Sequence, residues 1–285
     1  MRQQPSILEY RRGRYLKLAL LLTAAVIAVY AWHEPPVVYV KPYGGTWLGY
    51  TLGTLGALLI LWLMLLGIRK RRYRSSLGTV QGWTSAHVYL GVSLIVIVTL
   101  HSGFEFGWNV HTLAYVLMVL VVASGLLGVY AYLHYPTLMT KNLGDDTLEA
   151  TLLKLGDLDR KCRRIALDLP DEVNAIVNKA TRSSARHAPL GGTLRRQLAG
   201  ERVRCPTREA CAALIAMGAG YTGEQAKING QLVSAMTRKS VLIDRVRRDL
   251  RYRALMEVWL YAHVPLSFAL LAALIAHVVA VFYFW

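Results

Sequence analysis

The sequence predicts an all-α protein: a five-span membrane helix bundle with a helical cytoplasmic insertion between the fourth and fifth spans. Three observations lead there. Of 285 residues, 54% are hydrophobic and the mean hydropathy is +0.34, too apolar for an ordinary soluble domain. Five runs, 16–32, 47–68, 83–103, 110–133 and 257–283, are long enough, or nearly so, to cross the ~30 Å hydrocarbon core as helices. Basic residues are also distributed one-sidedly. Of 33 Lys+Arg, five lie in 2–17, five in 69–74 and 22 in 141–253, leaving Lys41 alone on the other side. The chain therefore divides into membrane helices 1–4 (1–133), a basic helical segment (134–256) and membrane helix 5 (257–285).

Cytoplasmic loops carry the excess of Lys and Arg, so the N-terminus, the 69–82 loop and the 134–256 segment are expected in the cytoplasm. Loops 33–46 and 104–109 and the C-terminal Trp285 then lie outside, with Glu34, Lys41 and Glu105 as their full charges. This describes a multi-pass protein of the cytoplasmic (inner) membrane. The first run is the shortest. Arg11, Arg12, Arg14 and Lys17 precede it, and "RRGRYLK" has a loose twin-arginine look, but it is read as a retained helix rather than a signal peptide. In the second run Gly45, Gly49 and Gly53, followed by Gly56, form a small-residue ladder that lets helices approach closely. Pro265 in the fifth run weakens the helix ladder near Tyr261.

The net charge of +16 raises the question of nucleic acid. Residues 135–256 hold 22 basic and 13 acidic side chains, which topology and anionic lipid headgroups explain. No zinc finger or aromatic-basic RNA signature accompanies them, so membrane lipid is expected as a partner and nucleic acid is not. Within this segment, residues 145–184 have leucines at helical spacing, with Pro170 starting a second helix. Residues 183–207, containing Gly191, Gly192 and Pro206, read as a loop. A polar, basic helix from Glu224 to Tyr252 is expected to lead into the fifth span. "GAGYTG", Gly218 to Gly223, matches a phosphate-binding fingerprint literally, but "EACAALIAM" before it is more helical than strand-like, and Asp244 comes late for a ribose carboxylate. It is read as a helix-breaking turn. Cys162, Cys205 and Cys211 form no C-x-x-C, no C-x-x-C-H and no four-cysteine set, so reduced structural thiols are expected.

The third and fifth spans contain "HVYLGVSLIVIVTLH", 87–101, and "HVPLSFALLAALIAH", 263–277. On a helix, 14 residues rise about 21 Å and turn about 1400°, some 40° short of four full turns. His87 and His101 therefore share nearly one face at two depths, and His263 and His277 do the same. Both spans are odd-numbered and run parallel, which sets His87 level with His263 and His101 level with His277. Two facing pairs at two depths are what two stacked haems need, each iron taking one imidazole from each helix. Ionisable residues inside a span are costly and mark function by default. A hydrogen bond across helices, a proton path or a divalent-metal transporter are the other uses of such histidines. Gly91, one turn from His87, could clear room for a macrocycle.

The double H-x13-H resembles the dihaem four-helix core of cytochrome b in quinol:cytochrome c reductases and the transmembrane domain of ferric reductases and NADPH oxidases. In the latter group the ligands also lie on the third and fifth helices. The resemblance covers residues 47–133 and 257–283. It implies two haem b groups, with His87/His263 and His101/His277 as the paired ligands of the haem irons. The chain departs from that pattern in placing about 120 residues between spans four and five, and no flavin or nicotinamide domain follows the fifth. Quinone-site motifs of the cytochrome b group are also missing.

His33, His111 and His134 lie at span ends, where surface or interfacial roles are expected. His111 and His134, 23 residues apart, are about 140° out of phase and do not stack as a pair. Either could replace a ligand, or His111 could serve an exterior site with Glu105 and Trp108. His187 carries no motif. The function expected is transmembrane electron transfer between a cytoplasmic flavin or iron–sulfur redox protein and quinone or an exterior acceptor. A non-catalytic anchor or assembly subunit, and a haem-free transporter, are the alternatives.

Overall fold

The computed structural model describes residues 7–33, 43–72, 78–186, 194–199 and 205–284. In chain order they form α1 (Arg14–Trp32), α2 (Trp47–Arg71), α3 (Val80–His101), α4 (Val110–Leu143), α5 (Leu148–Ala166), α6 (Asp171–Arg186), α7 (Leu194–Ala199), α8 (Pro206–Gly218) and α9 (Gly223–Phe284). No strand occurs among the described residues. The expectations for Glu34, Lys41, His187, Gly191, Gly192 and Trp285 concern residues outside that set.

Five helices, α1 to α4 and α9, are long and apolar enough to cross a membrane. Their outward faces carry Leu20, Leu21, Leu58, Leu127, Phe268 and Ile275, all exposed. A helix that is apolar all round suits hydrocarbon, not water. The starts of α2, α3 and α4 are set by side-chain caps, which satisfy amide groups that the first turn leaves unpaired. Thr46 accepts from the Gly49 amide at 3.0 Å, Thr79 from Gly82 at 3.1 Å and Asn109 from Thr112 at 2.9 Å. At the far end of α2, the buried Arg69 guanidinium donates to the carbonyls of Arg72 at 3.0 Å and Gly78 at 2.6 Å.

The chain forms two units, residues 1–130 with 259–285, and residues 131–258. In the first, Ala19, Ile60, Leu63, Leu90, Leu94, Met118 and Leu270 form a buried cluster drawn from α1, α2, α3, α4 and α9. Polar side chains knit α1 to α3: Thr23 Oγ1 donates to Ser93 Oγ at 3.0 Å, and Ser93 Oγ in turn reaches the Ala19 carbonyl at 3.3 Å. The small-residue ladder works as close packing. A Cβ on Gly56 would lie 3.1 Å from Val98 Cγ2 of α3.

The second unit contains the end of α4, α5 to α8 and the N-terminal part of α9. Its core holds Cys162, Val173, Val177, Leu214, Leu232 and Met236. The three cysteines are free and buried, and burial pushes the Cys162 thiol up to about 11. Such thiols are unreactive near neutral pH. Lys239 is also fully enclosed, with Nζ 2.5 Å from Asp159 Oδ1. The GAGYTG segment is a turn between α8 and α9, with Gly223 at φ 60° and no strand before it. Gly218 has a packing reason of its own. A Cβ there would collide with the Asn229 amide, which donates to the Leu214 carbonyl at 3.2 Å. Asp244 is held by Arg208 at 2.6 Å.

Three boundaries differ from the sequence expectation. The fourth helix does not stop near residue 133 but continues through Pro136 to Leu143. Pro136 removes only the amide that would have bonded the Tyr132 carbonyl, a local loss that a long apolar helix can carry without ending. The third helix begins at Val80 and ends at His101, because Thr79 caps it and Gly103 and Phe104 turn to positive φ. Finally, the expected loop at 183–207 is partly helical: α6 runs to Arg186 and α7 occupies Leu194–Ala199.

Candidate functional site

All four intramembrane histidines lie in the first unit, two on α3 and two on α9. His87 and His263 line one cavity together with Leu63, Met64, Gly91, Met118, Gly125 and Ser267. Its empty space, counting the open side, is about 650 Å³. Gly91 is buried on its wall, and a Cβ there would meet nothing within 4 Å. The rings of His101 and His277 have centroids 6.0 Å apart. Two imidazoles flanking one metal through bonds of roughly 2 Å would have centroids about 6 Å apart. His87 and His263 thus share a cavity lining, and the His101 and His277 rings lie side by side.

What holds each ring was not legible from the four histidines. His87 Nδ1 lies 3.0 Å from the Leu63 carbonyl, and His101 Nδ1 lies 2.7 Å from the Gly49 carbonyl, both on α2. Leu63 and Gly49 are 14 residues apart, the same interval as His87 and His101, as antiparallel neighbouring helices require. A carbonyl can only accept, so both histidines carry the proton on Nδ1 and donate it. A neutral imidazole has one N–H, which leaves Nε2 with a free lone pair. Metal-binding histidines are fixed in this way, donating the other ring nitrogen's proton to a carbonyl or carboxylate. Gly53 makes the approach to Gly49 feasible, since a Cβ there would sit 2.6 Å from His101 Cε1.

His263 reaches the same state by a different route. Its Nδ1 is 2.7 Å from Ser124 Oγ, and that hydroxyl donates its own proton to the Val121 carbonyl at 2.8 Å. Ser124 Oγ is therefore left to accept, and His263 donates through Nδ1. Trp259 completes the support: its ring stacks on His263 with centroids 5.3 Å apart, and its Nε1 donates to the Ser124 carbonyl at 2.6 Å. The indole lies where a side chain on Gly128 would otherwise be. His277 Nδ1 lies 2.5 Å from His111 Nδ1, with the two ring planes nearly perpendicular.

His111 therefore faces His277, while Glu105 and Trp108 are exposed. His33 packs edge-on against Trp47, and His134 lies beside Tyr135 in the second unit. Among the described residues, no cluster of three or more His, Cys, Asp or Glu could hold a metal ion. A haem iron needs only two protein donors, because the macrocycle supplies the rest. Comparison with family models, curated proteins and solved structures finds no match.

Proposed function

We propose that the chain is a membrane-bound dihaem b-type cytochrome that carries electrons across the membrane. The observation that carries this reading is the common state of His87, His101 and His263. Each gives its Nδ1 proton to a fixed acceptor and keeps Nε2 as a donor atom. His87 and His263 would hold one haem iron, and His101 and His277 the other. Bound haem supplies reversible one-electron chemistry at iron. Held by two imidazoles each, the irons would have no position open to a small molecule, which favours electron carriage. Leu63, Met64, Leu94, Met118 and Leu270 give the cavity at the His87/His263 level apolar walls, which suit the face of a macrocycle. A 14-residue interval separates the two levels by about 21 Å along the helices. A reduced-minus-oxidised visible spectrum of protein purified gently in detergent tests the reading. A b-type difference spectrum is expected, and its absence would leave an anchor or a transporter.

The excess of basic residues in 134–256 supports placing that segment and the N-terminus in the cytoplasm, in an inner membrane. The same charge suits an acidic flavin or iron–sulfur protein as redox partner, with quinone or an exterior acceptor at the other end. On α9, Arg238, Arg248 and Arg251 have exposed side chains, whereas Lys239 is enclosed. Reversing those three arginines to glutamate is expected to slow haem reduction by the partner several-fold, leaving the difference spectrum unchanged. The unaltered protein should show the same slowing as salt rises, since exposed charges are screened over about 10 Å at 0.1 M. Stopped-flow reduction at several ionic strengths checks both. Rates insensitive to charge reversal and to salt would move docking elsewhere.

A further inference from the structure

We propose that His111 is a positioning residue for His277, accepting its Nδ1 proton and thereby setting the tautomer of that one ligand. The inference rests on the dihaem reading and adds a role that the four ligands do not include. Two ring nitrogens 2.5 Å apart must share a single proton, because two N–H groups facing each other would clash and two bare lone pairs would repel. If the proton belonged to His111, His277 would carry its own proton on Nε2 and could not bind iron through that atom. With the proton on His277 Nδ1, His277 Nε2 is free, and His111 keeps its own proton on Nε2. In that second arrangement His277 matches His87, His101 and His263. Its position also fits. On α2 the supporting carbonyls are 14 residues apart, and on α4 the supporting side chains, His111 and Ser124, are 13 apart.

His111 differs from the other three supports in kind. An imidazole nitrogen is a stronger base than a carbonyl or hydroxyl oxygen, so it draws the His277 proton harder and makes His277 the more electron-donating ligand. Outer partners raise ligand basicity in this way. A more basic ligand favours ferric over ferrous iron, which lowers the midpoint potential at the His101/His277 level.

Potentiometric titration of the full-length protein, with haem content measured alongside, tests this. His111→Ala should raise the potential of one haem and leave the other unchanged. A tenfold loss of ferric preference corresponds to about 59 mV for one electron. His111→Gln, whose amide oxygen accepts the same N–H more weakly than an imidazole nitrogen, should recover only part of the shift. The haem affected should be the one lost in His101→Ala. Two retained haems with unaltered potentials in His111→Ala would overturn the inference while leaving the dihaem reading intact. Loss of one haem in both variants would overturn it too, by making His111 itself a ligand. An unaltered protein without haem would remove the dihaem reading, and this inference with it.

Discussion

Replacing either His87 or His263 with alanine is expected to remove the same one of two haems, and replacing either His101 or His277 to remove the other. The pairing follows from depth. His87 and His263 share a cavity, and His101 and His277 face each other at 6.0 Å. Each substitution takes away one of only two protein donors to an iron, so the loss should approach one whole haem per chain rather than a partial weakening. Haem content and the difference spectrum of the four purified variants read this directly. Gly53→Ala should act like a milder His101 variant. Its methyl would sit 2.6 Å from His101 Cε1 and push the ring off the Gly49 carbonyl. Loss of such an outer partner typically costs 10–100-fold in metal affinity. Gly91→Ala, whose methyl meets nothing within 4 Å, is the control for crowding the cavity alone. If His87→Ala and His277→Ala affected a common haem, α3 and α9 would have to run antiparallel and the five-span topology would be wrong.

The second large effect lies in the other unit. Asp159→Ala is expected to destabilise residues 131–258 by about 3–5 kcal/mol, the usual cost of removing one partner from a buried ion pair. Lys239 has no exposed side-chain surface, and the Asp159 carboxylate is 2.5 Å from its ammonium. Without Asp159 that charge would stay enclosed among Cys162 and its apolar neighbours. Lys239→Met should cost less, because it removes the enclosed charge, nearly preserves volume, and leaves a carboxylate that is 17% exposed to solvent. The double variant should recover much of the loss. The unit contains all three cysteines of the chain, each buried and free, so their reaction with a thiol reagent during heating reports its unfolding alone. Equal melting of Asp159→Ala and the unaltered chain would mean that the pair contributes nothing.

Much of this architecture was legible because the membrane imposes a coarse rule. An apolar run of helix length has few other solutions, so all five spans could be read from composition, and the two H-x13-H intervals turned directly into paired depths. Boundaries were harder. Thr79 and Asn109 start helices through a single hydroxyl or amide contact, and the fourth helix runs ten residues past the end of its apolar run, through Pro136. The supports of the histidines were the least legible part. The Gly49 and Leu63 carbonyls belong to the backbone and leave no trace in residue identity. Gly53 was legible as a small residue, but not as the one that admits the His101 ring. His111 did carry a signal. Compared with His134 its spacing meant nothing, while its 13-residue interval to Ser124 nearly repeats that of the ligands on α9.

In the proposed dihaem cytochrome, four imidazoles would hold two haems in one chain. Haem quantification by the pyridine haemochrome method, on full-length protein purified without harsh detergent, tests it most directly. About two haem b per chain are expected, both low-spin and bound through imidazoles. Intact, folded protein with no bound haem would contradict it.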